Sequence, residues 1–580
     1  MILRRLYLYV VSAAGLGLLA AGLALLGTTV LLFVFNDPSA QDNRTQLAIF
    51  TAMTLVALPV WGVHFWFARR FAVRDKDERA SAIRHLYLYL ACMASALGAM
   101  VALAITGGDL LRPLIDTCSP IGYGPKSGIG VSCPADADWL ATSQTAWVAL
   151  VFLVIWAFHF QVAARDRAAV GQTGASATLR RWYMYVVLLV GLLVMLNGAF
   201  GLVELAWLKA RQSTLASTSY LGDSAGLLLA GLIVWGFHAR TIAQNHIADD
   251  RHSTLRALEG FIAVAVCIAI ALVGTSQILY YSLARALGVN DPGGVRTDIL
   301  SGLAVPVSQL LVYGTAWLLV RRRLARDAMA QEGDRQADIR RLYTNLAGLV
   351  SLGAWATGAG GLLWTLAEQL EAPLIGVTAG NWKDPVSLWV TLLVVGVAVW
   401  LAHWRQEPWP ADRQSLPRRL YVWAALLVSV LVMLGAGVGM LNALLQQVFS
   451  AHPALNASSN LDFGHYLAVI VVAAGVGVYH WRVLRADAAA RPSAGRAQPG
   501  LESEPGTIKA AEPAPVVAVA PPVPLAIQGA DLGESRSRSY VLSVTDATED
   551  DLHQALATLP PHAAYKLTPT EKGALPVDGH

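Results

Sequence analysis

Apolar stretches of more than about twenty residues, nearly free of ionised groups, recur along this chain and constrain it more than any other feature; residues 10–35 and 186–208 are examples. A helix rises about 1.5 Å per residue, so about 20 apolar residues cross a hydrocarbon core about 30 Å thick. Inside lipid each backbone N–H and C=O must find a partner within its own segment, which requires helix. A closed barrel would need alternating segments of about ten residues, and the sequence has none. Composition agrees, with 55% of the 580 residues hydrophobic and 14% charged.

The stretches come in pairs, and each pair opens and closes alike. The opening is basic and aromatic: Arg4-Arg5-Leu6-Tyr7, Arg84-His85-Leu86-Tyr87, Arg180-Arg181-Trp182-Tyr183, Arg340-Arg341-Leu342-Tyr343 and Arg418-Arg419-Leu420-Tyr421. The close is Trp61-x-x-His64, Trp156-x-x-His159, Trp235-x-x-His238 and Trp400-x-x-His403, with His480 after Tyr479 at the end. The period is roughly 80 residues, too long for a soluble solenoid. The expected fold is an all-α integral membrane protein of about twelve transmembrane helices, built as six parallel two-helix repeats. Their bounds are 1–78, 79–175, 176–250, 251–335, 336–412 and 413–487. The fourth is divergent: Arg256-Ala257-Leu258 replaces the aromatic opening, and no His follows Trp317. An even number of spans per unit sets all six the same way up, unlike the inverted repeats of many transporters.

Beyond the spans, residues 488–537 are rich in Ala and Pro and read as a disordered linker. Residues 538–580 are expected to form a small α+β module or to be disordered; a strand-helix-strand of about thirty residues is too small to stand alone. An unknown cytoplasmic protein partner could complete it.

Charge placement gives an orientation. Of 43 Lys and Arg, 28 lie at the helix ends and linkers on the side of the amino terminus, eight on the opposite side and seven in the tail. Short cytoplasmic loops collect Lys and Arg, so both termini are expected in the cytoplasm of a bacterial inner membrane. The first apolar run is much longer than the core of a signal peptide, and its Arg-Arg-Leu-Tyr start recurs internally, so cleavage is not expected. Nothing in the pattern suggests nucleic acid.

The candidate functional residues fall into four groups. Arg4, Arg5, Arg84, Arg180, Arg181, Arg340, Arg341, Arg418 and Arg419 suit the water-lipid boundary, as anchors or as ligands for anionic lipid headgroups. His64, His159, His238, His403 and His480 could bind metal or haem, or form a pH-sensing ring. His64 and His159 lie about 8–9 Å along their helices from Arg69 and Arg165, which favours a boundary or interhelical hydrogen-bonding role. Asn197, Glu204, Glu368 and Asn442 are the intramembrane polar candidates. Glu204 and Glu368 lie about 35–40 Å from Arg181 and Arg341, towards the outer boundary, so the midplane is nearly charge-free. Cys118 and Cys133, in the longest outer loop, form either a disulfide or two unpaired thiols. The sequence lacks G-x-x-x-x-G-K-[ST], H-E-x-x-H, C-x-x-C and G-x-S-x-G, so neither catalysis nor a cofactor is expected.

The two-span unit, with its basic-aromatic head and W-x-x-H close, resembles an uncharacterised bacterial membrane family, domain of unknown function 5671. Arg4 to Tyr7, Trp61 to His64, Arg180 to Tyr183 and Trp235 to His238 carry the likeness, and Arg165-Asp166 and Arg326-Asp327 fit its exit pattern. The resemblance implies a tandem array over residues 1–487 and no particular chemistry. A non-enzymatic membrane scaffold or sensor presenting a cytoplasmic tail is therefore expected. The alternative is a transporter or channel for a weakly polar or apolar solute, with a redox protein using the histidines third.

Overall fold

In the computed structural model the chain from residue 2 to 490 is described, apart from 116–118, 122–129, 133–137, 172–173, 214–220, 245–252, 293–297, 330–333, 375, 377, 405–412, 414 and 450–456. Cys118 and Cys133, and the expected linker and tail module beyond residue 490, lie outside the described residues. The remaining cysteines, Cys92 and Cys267, are buried free thiols among helices.

Twelve helices among the described residues are long and apolar enough to cross a membrane. The first hairpin is α1 (Ile2–Val34) and α2 (Arg44–Arg74), and the second is α3 (Ala82–Ile115) and α4 (Trp139–Val170). The third and fourth are α5 (Gly174–Ala210) with α6 (Leu221–Gln244), and α7 (Thr254–Ala286) with α8 (Ala304–Met329). The last two are α9 (Asp334–Leu374) with α10 (Lys383–His403), and α11 (Leu416–Phe449) with α12 (Ala457–Ala489). The apolar pattern sets the start of the long outer loop at Gly107, and the structure starts it later. α3 continues through Arg112 to Ile115, and Ser119–Ile121 then pairs antiparallel with Gly130–Ser132.

Each helix packs on its hairpin partner, and one rule joins the hairpins: the first helix of each lies against the second helix of the next. Thus α1 meets α4, α3 meets α6, α5 meets α8, α7 meets α10 and α9 meets α12. The array is open, because α2 packs mainly on α1, and α11 packs on α12 and α9.

Lipid tails are as apolar as leucine, so shape rather than water exclusion holds such helices together. Glycine supplies the fit where backbones approach most closely. A Cβ on Gly198 of α5 would stand 2.3 Å from the Leu228 nitrogen of α6, and one on Gly231 of α6 would stand 2.4 Å from the Met195 nitrogen of α5. The largest buried cluster lies in the first three hairpins, where Tyr87, Leu88, Cys92, Tyr183, Met184 and Val187 are its centre.

Candidate functional site: the boundary joints

The basic ends of the helices carry two sets of polar contacts. In the first, a tryptophan at the close of one hairpin donates to the tyrosine that opens the next, and that tyrosine meets the histidine closing its own hairpin. Trp61 Nε1 donates to Tyr87 Oη at 3.0 Å, and Tyr87 Oη lies 3.1 Å from His159 Nε2. Trp156 Nε1 donates to Tyr183 Oη at 2.9 Å, and Tyr183 Oη lies 2.8 Å from His238 Nε2. Trp400 Nε1 donates to Tyr421 Oη at 3.0 Å, and Tyr421 Oη lies 3.0 Å from His480 Nε2.

Helix geometry sets the histidine tautomer. Nδ1 of His159, His238 and His480 faces the carbonyl of the residue four before it, Ile155, Val234 and Val476, each at 2.8 Å. A carbonyl only accepts, so Nδ1 carries the proton and Nε2 accepts from the tyrosine hydroxyl. The relay thus runs Trp N–H to Tyr O–H to His, and both ring nitrogens are used. His159, His238 and His480 are almost wholly buried.

The ends of the array differ as its open geometry requires. Tyr7 Oη lies 3.2 Å from His64 Nε2 on an exposed face, and among the described residues no tryptophan donates to it. In the last hairpin Gly477 stands three residues before His480, where the others carry Trp, and no further hairpin follows among the described residues. In the fifth hairpin Tyr343 and His403 meet edge to face at 5.7 Å, and His403 Nδ1 lies 2.9 Å from the Val399 carbonyl. The fourth hairpin replaces the whole pair: Glu259 stands in the tyrosine position and Val320 in the histidine position, and buried Glu259 accepts from Arg323 instead.

The second set consists of arginine–aspartate clamps across the mouth of a hairpin. Arg84 Nε donates to Asp166 at 2.7 Å, and its Nη1 donates to Tyr9 Oη of the first hairpin at 3.0 Å. Arg256 grips Asp327 at 2.7 and 3.3 Å, and Arg418 grips Asp487 at 2.7 and 3.2 Å. Arg418 also lies over the Trp404 ring, 4.6 Å from its centroid. In the first hairpin Arg4 and Arg5 both reach Glu78, in the short helix that follows α2.

Arg84 and Arg418 are therefore turned inward, only 2% and 3% exposed. Arg4, Arg340 and Arg419 keep exposed side chains, and Arg5, Arg180, Arg181 and Arg341 are half-buried. Arg341 pairs with Asp338 at 2.9 Å. The intramembrane candidates are divided among three helices. Asn197 of α5 and Asn442 of α11 are exposed, and Glu204 of α5 is half-buried. Glu368 of α9 accepts from the Gly380 amide at 3.1 Å. Among the described residues no three His, Cys, Asp or Glu side chains come together as a metal site.

Sequence reasoning finds the Trp, Tyr, His and opening Arg residues but misses their partners. The signal for the clamps was present, since an aspartate recurs just past the close at positions 166, 327 and 487.

Twelve apolar helices in hairpins, with Trp–Tyr–His relays at their basic ends, define a multi-pass α-helical membrane protein. Residues 5–128 and 341–475 match the model of the family described as Domain of unknown function (DUF5671). No curated protein and no solved structure matches the chain.

Proposed function

We propose that this protein is a non-enzymatic scaffold or sensor of the bacterial inner membrane, an array of six like hairpins presenting residues 488–580 to a cytoplasmic protein partner. The observation that carries this reading is the Trp–Tyr–His relay. Each one bridges two hairpins and uses both histidine nitrogens, so the chemistry recurring along the array is that of joints. Ligation or proton transfer by His159, His238 or His480 would first require the joint to open. The excess of Lys and Arg at this boundary, 28 against eight opposite, supports cytoplasmic termini. Exposed Arg4, Arg340 and Arg419 suit contact with anionic headgroups.

Orientation is tested by thiol labelling of single cysteines placed at residues 40 and 380. Labelling from the periplasm agrees with the reading, and labelling from the cytoplasm alone overturns it. Function is tested in proteoliposomes against a panel of weakly polar and apolar solutes. Leakage no faster than in protein-free vesicles is expected. Solute-dependent flux that falls in Glu204→Gln or Asn197→Ala would replace the scaffold with a carrier.

A further inference from the structure

The last two hairpins enclose a cavity of about 700 Å³ among α9, α11 and α12. Gly353 and Gly360 of α9, Val428 and Val432 of α11, and Ala473 of α12 shape it, with Trp389 of α10 behind. Its lining is almost wholly apolar. Of its two hydroxyl side chains, Ser429 donates to its own helix at Ala425, 2.7 Å away.

The two ends differ. The inner end is sealed by the buried cluster of Leu352, Tyr421, Trp404 and Val476. At the other end Trp364 stacks on His465, ring centroids 3.9 Å apart and 11° from parallel, and Gly464 abuts the Glu371 carboxylate. Between α9 and α11 the wall is open, because Gly353, Thr357, Val428 and Val432 are all exposed. That opening lies within the apolar spans, where hydrocarbon is the solvent.

The void has a cause in the sequence. Ala473 stands seven residues before His480, as Phe152 stands seven before His159 and Tyr313 seven before Val320. Gly360 stands twenty residues after Arg340, as Phe200 stands twenty after Arg180. Phe200 and Tyr313 pack together at 6.4 Å in the third and fourth hairpins. In the second, Phe152 covers Gly98. In α9–α12 both rings are missing, and the cavity occupies the space they would fill. Bare apolar space of this size forfeits the dispersion contacts of every atom lining it. Water is a poor filler where so few polar groups are available to hold it.

We propose that this cavity binds one hydrocarbon chain of an amphipathic membrane molecule, an acyl or isoprenoid tail. The tail enters sideways between α9 and α11, and the polar head stays beside the Trp364–His465 stack. This goes beyond the scaffold reading and stands or falls separately from it.

The test is mass spectrometry of the full-length protein purified from membranes in mild detergent, with lipid extraction to identify what remains bound. Wild type is expected to retain one chain-bearing molecule per protein, its mass distinguishing phospholipid, free fatty acid and isoprenoid. Gly360→Phe combined with Ala473→Tyr restores the rings and should lower retention about tenfold or more. Val438→Phe, on the exposed face of α11, should leave it unchanged. Should the double variant fail to fold, Ala473→Leu alone provides the comparison. Equal retention in wild type and a folded, plugged variant overturns the proposal, as does a wild type that retains no such molecule.

Discussion

Removing one oxygen tests the relays most directly. Tyr183→Phe keeps the ring in its 1% exposed site and deletes the atom that joins Trp156 to His238. Interhelical hydrogen bonds in membranes contribute about 0.6 kcal/mol on average and up to about 1.7. Here two are lost together, and the Trp156 N–H and His238 Nε2 remain buried without a replacement. Each such orphan costs about 1–3 kcal/mol when nothing rearranges. The expected loss is therefore about 2–4 kcal/mol. The array supplies its own control, because Tyr7 makes the same contact with His64 on an exposed face and receives no tryptophan among the described residues. Water or headgroups can replace that hydroxyl, so Tyr7→Phe should cost less than about 0.5 kcal/mol. Reversible unfolding in mixed micelles, followed by tryptophan fluorescence, measures both. A Tyr183→Phe loss no larger than that of Tyr7→Phe would refute the claim that the relays hold the array together.

The clamps, the helix contacts and the caps give three further expectations. Asp166→Ala leaves Arg84 buried without its carboxylate and should cost about 3–5 kcal/mol in the same titration, whereas Arg84→Met with Asp166→Leu should cost much less. Gly198→Ala sets a Cβ 2.3 Å from the Leu228 nitrogen and 2.6 Å from the Ser224 oxygen, so α5 and α6 must part at a cost of about 1–3 kcal/mol; Gly17→Ala, with nothing within 4 Å, should be neutral or stabilising. Asp37 and Asp298 lie between spans, and the Ser39 and Ser301 hydroxyls, aided by the amides of the same residues, hold their carboxyls below the usual range. Their folded pKa is thus the lower one, so the stabilisation is complete above the ordinary carboxylate pKa and is lost as pH falls through the folded value. Acidification should accordingly loosen residues 38–40 in amide exchange relative to neutral pH, and Asp37→Ala should abolish the difference.

The spans were legible because membrane solvation leaves few choices. The first apolar stretch covers residues 10–35, and α1 runs from Ile2 to Val34. The joints were legible as residue types and hidden as contacts. Periodicity places Trp61 and His64 on one helix end, but the tyrosine that accepts from Trp61 belongs to the next hairpin, 26 residues on. Arg84 reads in sequence like any arginine at a lipid boundary, and only packing shows that it meets an aspartate 82 residues later. The cavity was the least legible feature. A missing ring at Ala473 has meaning only once Gly360, far away in the chain, is known to face the same space.

The positions of the clamps suggest that the working unit is two hairpins rather than one. Arg–Asp pairs close the second, fourth and sixth hairpins, while the first leans on the second through Tyr9 and Arg84. The two family matches have the same phase, starting in hairpins one and five and running on into two and six. A lone hairpin offers each helix a single protein neighbour, so a second hairpin and a charged clamp are what give the boundary a defined geometry. With that boundary fixed, the mid-membrane interior is free to vary, and it does. Phe152 fills the first pair, Phe200 and Tyr313 fill the second, and Gly360 and Ala473 leave the third hollow. Divergence of function along such an array therefore belongs in the interior, where the absence of two rings leaves a chamber while the Trp400–Tyr421–His480 relay and the Arg418–Asp487 clamp stay in place.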